Sequence, residues 1–571
     1  MTVLNTDVLV IGGGATGTGV AWDAALRGFD VILADRADLA EGTSGRFHGL
    51  LHSGGRYAVK DPHAAEECIG ENVIVRKIAA DCIEDTGGFF VTTPFDDPAY
   101  ADRFAEGCRA TGVPCEEIDP AQALREEPRL HPGISRVFRV PDANVEVWKL
   151  VGAMARGAQQ RGARVLTYHG AIAIHRDGDE VTGARLRDER TGEVTDVQAR
   201  ITVNAAGAWA GHIAEMAGIE GVRILPGRGI MIAMNHRLVN TVINRCQLPT
   251  DGDILVPIRT VSVIGTTDQH TEDPDDHTVA RSEVDQMLDD GEKLVPGFRQ
   301  ARALRVWTGV RPLFEDAKAS DTDTRDVTRA HALLDHRERD SVGGFVTITG
   351  GKVTTFRLMA QETVDAVCDM LGSAAACNTA TQPLPGSEDG ANYRLGERLA
   401  RKEERLREEQ IICECELVSR ERLTGVLEQS GSTDLDDIRR RLRLGMGPCQ
   451  GGFCIYRAVG IMHGAGGLDA PAAGASLSAF LEERWKGVWP ILYGDQLRQV
   501  RLDEWIFHGV LDVDHLPGGP LAAPAEGGPL AAGSEGGPLA APAEGDPLAA
   551  GPEGDPLAAG QTPSAGFEAD S

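Results

Sequence analysis

Residues 3–36 read VLNTDVLVIGGGATGTGVAWDAALRGFDVILADR. Residues 8–11 are an apolar run of strand type, and Gly12-x-Gly14-x-x-Gly17 follows at once. Residues 19–28 then space Val20, Ala21, Ala24, Ala25 and Leu26 as a helix does. A second apolar strand over 31–34 ends on Asp35, 18 residues after Gly17. This is a complete dinucleotide-binding βαβ unit. Gly12 suits the tight turn, Gly14 lets backbone approach a pyrophosphate, and Gly17 lets helix and strand close on each other. The helix N-terminus offers free N–H groups and a positive dipole end to the anion. Asp35 is placed to accept both hydroxyls of an adenosine ribose. The unit by itself leaves NAD and FAD both open.

Working outward, 571 residues with 42% hydrophobic content predict two to four domains with a sizeable core. No apolar run reaches 18 residues, so no transmembrane helix is expected. The chain enters its first strand without a basic and apolar leader, so a cytosolic protein is expected, touching membrane only peripherally or through a partner. The formal net charge is −29, and Arg supplies 49 of the 57 basic residues against 8 Lys. A Lys-poor acidic surface fits a salt-loving, haloarchaeal-like source, because salt screens its self-repulsion. Nucleic acid is excluded as a partner on the same charge. The eleven cysteines are scattered, which argues against a disulfide framework.

Residues 42–57, GTSGRFHGLLHSGGRY, lie just past the ribose site. Small residues, His48, His52, Arg46, Arg56 and Tyr57 there suit a flavin ring and its substrate. Residues 395–409 carry ten charges in fifteen positions and read as a solvated linker helix. Past it stand Cys413-Glu414-Cys415 and Cys449-x4-Cys454, the second pair in the glycine-rich GMGPCQGGFC. Four thiols in two close pairs read as a metal or iron–sulfur set, with backbone N–H groups of the glycine loop aimed at sulfur. The spacing departs from the usual zinc pattern of two CxxC pairs, although zinc and an empty site stay open on the residues alone. Residues 480–510, rich in Trp and apolar side chains, read as a helix docking on the body or as a contact for another subunit. From residue 518 a nine-residue repeat of the type GGPLAAPAE runs toward the C-terminus. It offers too little apolar surface to offset ordering, and 516–571 is expected to be disordered.

Several of these segments resemble the FAD-dependent glycerol-3-phosphate dehydrogenase family, in the form of its anaerobic catalytic A subunits. The resemblance rests on the GTS turn followed by LLHSGGRY, VNAAGAWA at 203–210, GTTD at 265–268, GVRPL at 309–313, VTRAHALLD at 327–335 and ITGGKVTTFR at 348–357. It spans about residues 3–510. One departure is His52-Ser53-Gly54, where the aerobic relatives tend to have His-Gly-Gly.

The resemblance implies an α/β fold. An FAD-binding Rossmann-type domain, glutathione-reductase or D-amino-acid-oxidase-like, carries an antiparallel-sheet substrate lobe over 1–377. A charged linker over 378–410 leads to a small helical BFD-like 2Fe–2S domain with its docking segment over 411–515. FAD binding falls to Gly12, Gly14, Gly17, Asp35, Thr43, Ser44, Arg46, His48, Gly207, Trp209, Gly350, Gly351, Lys352 and Thr354. The cluster ligands are Cys413, Cys415, Cys449 and Cys454. The implied reaction is oxidation of sn-glycerol 3-phosphate to dihydroxyacetone phosphate. Arg311 and Arg329 clamp the phosphate, and His52 takes the C2 hydroxyl proton. Arg56, Tyr57 and Thr267 orient the hydroxyls, and Lys352 stabilises negative charge on reduced flavin. Electrons leave through the cluster to B- and C-type subunits and quinone, at the cytoplasmic face of the membrane. Two alternatives stand beside it: an FAD-dependent amine or 2-hydroxy-acid oxidase of the same superfamily, and a non-catalytic electron-transfer component.

Overall fold

The computed structural model describes residues 2–314, 330–405, 409–430 and 432–521. The chain divides into a compact unit, Met1–Ala522, and a second unit, Ala523–Ser571, which lies outside the described residues.

The opening strand, Thr2–Ile11, pairs in parallel with Val31–Ala34 on one side and with Val194–Asn204 on the other. Between the first two runs the helix Ala15–Leu26. Strand Phe345–Gly350 adds in parallel beyond Val194–Asn204, and Arg164–Leu166 adds beyond Val31–Ala34. The strand runs are apolar without alternation because both faces are covered. Val8, Val10, Val31 and Leu33 pack into a core shared with the helices Ala15–Leu26, Val147–Gln159 and Phe356–Leu371. Leu9, Ile11, Ile32 and Ala34 face the opposite core, closed by the antiparallel pair His169–Asp177 and Glu180–Asp188 and by helix Ala210–Met216.

A second, nine-stranded sheet forms the other lobe. Its centre is antiparallel, as expected: Ile224–Met234, Val261–Gly265 and Ile254–Ile258 pair in turn. Val242–Arg245, however, runs parallel to Gly88–Thr92, so the sheet is mixed. Its longest pairing joins Ile224–Met234 to Ala303–Phe314. The GVRPL segment is the end of that twelve-residue strand, which the sequence pattern alone does not announce. Helix Arg281–Leu294 covers one face with Val284, Met287 and Leu288.

The C-terminal part has its own core, running from Ile412 to Val513. The hairpin Ile411–Cys413 with Val418–Ser419 packs against helices Arg420–Ser430, Leu435–Leu442, Ile455–Gly464 and Ala470–Val488. The charged linker forms a helix over Leu395–Arg405. The expectation of disorder from residue 516 needs correction at its start. Gly519 N–H donates to the Leu516 carbonyl at 2.7 Å and Leu521 N–H to the Asp514 carbonyl at 2.8 Å, and a side chain at Gly474 would strike the Pro517 carbonyl. Residues 516–521 are therefore seated on the helix that starts at Ala470; the rest of the repeat lies outside the described residues. Among the described residues no helix is long and apolar enough to cross a membrane.

Candidate active site

The C-terminal ends of the parallel strands, where ligands bind in this class of sheet, open on a cavity of about 400 Å³. Gly12, Gly14, Asp35, Thr43, Ser44, Arg46, Gly207, Trp209, Gly350, Gly351 and Lys352 line it. Gly12 sits at φ 114°, and a Cβ there would lie 2.4 Å from the Ala205 carbonyl oxygen. Gly17 stands behind the cavity wall: a Cβ on it would lie 1.8 Å from the Gly12 oxygen, so its part is to let helix and turn close. Asp35 accepts from Gly13 N–H at 2.5 Å and Ala37 N–H at 2.8 Å, which fixes its carboxylate at the cavity edge. Burial raises its pKa against those two hydrogen bonds. Ser44 Oγ accepts from Ala15 N–H at 2.9 Å and so ties the 42–57 segment to the first helix. Thr43 Oγ1 donates to the Val310 carbonyl at 2.5 Å. Trp209 donates to Asp275 at 3.0 Å, and Arg36 stacks on its ring at 4.3 Å. A glycine cradle on a helix N-terminus, an acid at the ribose position and cations at the far end fit FAD, an elongated anion with a pyrophosphate in its middle.

A second cavity, of about 590 Å³, adjoins the first and shares Thr43 and Arg46 with it. His48, His52, Arg56, Tyr57 and Arg311 line it, together with Lys60, Asp61, Thr250, Asp251, Thr266 and Asp268. His52 is held through its backbone: its N–H donates to Thr354 Oγ1 at 3.0 Å, and its carbonyl accepts from Asn72 at 3.0 Å. Its ring stands 5.4 Å from that of Tyr57, and Lys352 Nζ lies 5.1 Å from the same ring. Burial pushes the His48 imidazole down to about 3, with Arg56 and Arg311 adding to the shift. It is therefore neutral, and its Nδ1 accepts from Leu50 N–H at 3.2 Å. Burial opposes the charge on Arg56, but Asp253 at 2.8 Å outweighs it and raises its pKa. Arg311 reaches Asp268 at 2.9 Å, the Thr267 carbonyl at 2.8 Å and the Gly227 carbonyl at 3.2 Å, with Thr266 Oγ1 also in contact.

Besides Gly17, four expected residues stand elsewhere. His48, expected against the cofactor, lines the second cavity and not the first. Thr267 does not line the cavity. Its hydroxyl donates to Glu283 at 2.7 Å and accepts from Ile230 N–H at 3.0 Å inside the core, while its neighbours Thr266 and Asp268 take the cavity side. Thr354 anchors His52 and is not among the residues lining the cofactor cavity. Arg329 lies outside the described residues. The residues that sequence reasoning missed are Lys60, Asp61, Thr250, Asp251, Thr266 and Asp268. Thr266 and Asp268 sit in the GTTD segment and Lys60 three residues past Tyr57, so proximity to the motifs was their signal. Thr250 and Asp251 had none.

The four late cysteines meet in cross-paired fashion. Cys415 Sγ is 3.8 Å from Cys449 Sγ, and Cys413 hydrogen-bonds to Cys454. The Cys449 thiol is pushed down to about 6 by Cys415 and, against burial, by the N–H groups of Gly451 and Phe453. The glycine loop thus aims backbone donors at sulfur as its sequence suggested. Among the described residues no three such ligands converge on one ion. Two thiol pairs suit a two-iron cluster, which takes two thiolates on each iron, better than a single tetrahedral metal.

Residues 7–364 match the family model "FAD dependent oxidoreductase", and residues 411–463 match "BFD-like [2Fe-2S] binding domain". The chain is 43% identical over 532 residues to the A subunit of anaerobic glycerol-3-phosphate dehydrogenase from Escherichia coli (strain K12), covering 89% of this chain and 97% of that one. It is 41% identical over 547 residues to the A1 subunit of the same enzyme from Haloferax volcanii, covering 91% and 92%. Among solved structures, glycerol-3-phosphate dehydrogenase from Bacillus halodurans complexed with FAD aligns with a TM-score of 0.53 at 20% identity, over 90% of this chain and 88% of that one. Glycine oxidase from Geobacillus kaustophilus aligns with a TM-score of 0.52 at 22% identity, over 67% and 98%. These two structures share the fold.

Proposed function

The chain belongs to the FAD-dependent oxidoreductase family, among the anaerobic glycerol-3-phosphate dehydrogenase A subunits, and from that premise we propose how its residues divide the oxidation of sn-glycerol 3-phosphate to dihydroxyacetone phosphate. The observation that carries this reading is the convergence of His52, Arg56, Tyr57 and Arg311 on one cavity that shares a wall with the cofactor cavity. When bound, FAD supplies the two-electron acceptor for the hydride of C2. His52 takes the C2 hydroxyl proton; a neutral imidazole does so near pH 7. Its backbone, pinned by Thr354 and Asn72, fixes where the ring stands. Arg311 holds the phosphate, its guanidinium oriented by Asp268 and three oxygens of the 227 and 266–267 backbone and side chain. By its match to the family pattern, Arg329 completes the clamp. Arg56, kept charged by Asp253, and Tyr57 orient the glycerol hydroxyls. Lys352, at the entry to helix Phe356–Leu371, offsets negative charge at the cofactor end of the site.

Cys413, Cys415, Cys449 and Cys454 would hold the cluster, a one-electron carrier suited to passing electrons out of the chain. We place its acceptor in B- and C-type partner subunits and then quinone, with the chain peripheral at the cytoplasmic face of the membrane. Trp485, Trp489 and Trp505 support a protein partner, since they stand exposed on the C-terminal helices. The net charge of −29 with only 8 Lys supports a salt-rich setting.

The test is turnover of the FAD-loaded full chain in high salt with a dye acceptor, comparing glycerol 3-phosphate with glycerol, glycine and lactate. Turnover confined to glycerol 3-phosphate is expected. Oxidation of the amine or the hydroxy acid with release of hydrogen peroxide would overturn the reading in favour of an oxidase.

A further inference from the structure

Away from both cavities, a small void of about 10 Å³ is lined by seven cationic side chains and one carboxylate, Glu146. Such a cluster is out of character for a chain with 86 acidic and 57 basic residues. Four of the seven cations have carboxylates of their own. Arg443 pairs with Glu146 at 2.7 Å and Glu416 at 3.1 Å, Arg440 with Glu41 at 2.6 Å, Arg441 with Asp38 at 3.1 Å, and Lys149 with Asp81.

Arg259, Arg398 and Arg422 remain. Arg259 is 6% exposed and reaches Glu146 and Glu416 only at 3.5 and 3.8 Å, behind Arg443. Its Nη1 is buried without a hydrogen-bond partner among the described residues. Arg259 and Arg398 both stack on the ring of Tyr393, at 4.0 and 5.6 Å. No carboxylate among the described residues pairs with Arg422. Burial, with Arg398 and Arg259 beside it, pushes its guanidinium down to about 10. The acids within reach, Glu146, Glu416 and Asp81, are already paired with Arg443 and Lys149, so among the described residues the three guanidinium groups crowd together with fewer carboxylates than cations and repel one another unless an anion sits between them.

We propose that this void binds one small monoatomic anion of chloride size, held by Arg259, Arg398 and Arg422. The size follows from the void, in which the centre of a water-sized sphere has only about 10 Å³ to occupy. The charge follows from the three cations and from the orphaned Nη1. The anion would be structural. Arg259 belongs to the turn after strand Ile254–Ile258 of the substrate sheet, Arg398 to the linker helix Leu395–Arg405, and Arg422 to the first helix of the cluster domain, Arg420–Ser430. One bound anion therefore ties three separate parts of the chain together, and none of the three arginines lines the cofactor or substrate cavity.

Two measurements test it on the FAD-loaded full chain. Crystals grown in bromide, measured at the bromine absorption edge, should show an anomalous peak in contact with Arg259 and Arg422; an ordered water there and no peak overturns the proposal. Thermal unfolding at fixed ionic strength, with chloride exchanged for gluconate, should show a midpoint that climbs and saturates with chloride, as site binding does and screening does not. Arg422→Gln should abolish that climb while leaving turnover of glycerol 3-phosphate unchanged. Equal midpoints in the two salts, or an undiminished climb in the variant, would overturn it. If Arg422→Gln fails to fold, the bromide map of the unaltered protein decides alone.

Discussion

Single residues carry most of the site's chemistry through their neighbours. Arg311 is locked from several sides before any substrate arrives, so its guanidinium is pre-oriented. Charge-assisted contacts of this kind are worth about 1.5–3 kcal/mol. Arg311→Ala is expected to raise KM for glycerol 3-phosphate roughly 10- to 100-fold, and Arg311→Lys to recover only part of it. Steady-state kinetics check this, and an unchanged KM would move the phosphate site elsewhere. His48 gives a pH prediction. Its folded pKa of about 3 lies below the ordinary 6.5. Between those values the unfolded chain binds a proton that the folded chain refuses, so stability falls as pH drops through that window. His48→Gln should flatten the fall in unfolding midpoint between about pH 6.5 and about 3; a slope as steep as that of the unaltered protein would contradict it. Thr267 shows where residue types alone mislead. A threonine in GTTD reads as a substrate contact, but Thr266 and Asp268 face the cavity and Thr267 turns to Glu283 in the core. Which side a residue takes in an extended segment is a matter of register, and a motif without its strand pairing does not fix it.

At the scale of elements, legibility follows periodicity. Strand Val31–Ala34 is where the sequence places it, and the helix before it differs only at its ends, because glycine spacing and apolar runs state the βαβ unit locally. Strand Ala303–Phe314 is different. Its Arg305, Arg311 and Pro312 mask the apolar alternation, and its existence depends on pairing with Ile224–Met234, some eighty residues earlier in the chain. Contacts of that range are invisible to a local pattern. The same holds for the cross-paired thiols: CxC and Cx4C suggest neighbours in sequence, whereas the structure joins Cys415 to Cys449 and Cys413 to Cys454. Two glycine substitutions separate the roles of this residue at the element scale. Gly17→Ala places a methyl 1.8 Å from the Gly12 oxygen, and the expected result is purified protein without bound FAD. Gly70→Ala meets nothing within 4 Å on an exposed face of helix Pro62–Ile78 and should stabilise by about 0.5–1 kcal/mol in chemical denaturation. Retained FAD in the first variant, or a loss of stability in the second, would contradict these roles.

Across the whole molecule, buried charges bind the cluster domain to the FAD domain. Arg443, at the end of helix Leu435–Leu442, joins Glu146 of the FAD domain to Glu416 of the cluster domain. Burial works against the Glu146 carboxylate, and Arg443 and Arg259 hold it below the usual range. Arg443→Met would leave two buried carboxylates short of a partner, at a cost of about 3–5 kcal/mol. Chemical denaturation followed by flavin fluorescence should show that loss; a change within about 0.5 kcal/mol, as at an ordinary surface position, would contradict it. The two redox sites are nonetheless expected to be separable in function, since none of the four thiols lines the cavity that holds His52 and Arg311. The direct measurement is anaerobic mixing of the purified FAD-loaded chain with glycerol 3-phosphate, followed by flavin absorbance. Bleaching is expected in the unaltered protein and equally in a Cys413→Ser, Cys449→Ser variant, which should lose only reduction of the physiological acceptor. A flavin that stays oxidised in the unaltered protein when glycerol 3-phosphate is added would contradict the assignment of substrate and site together.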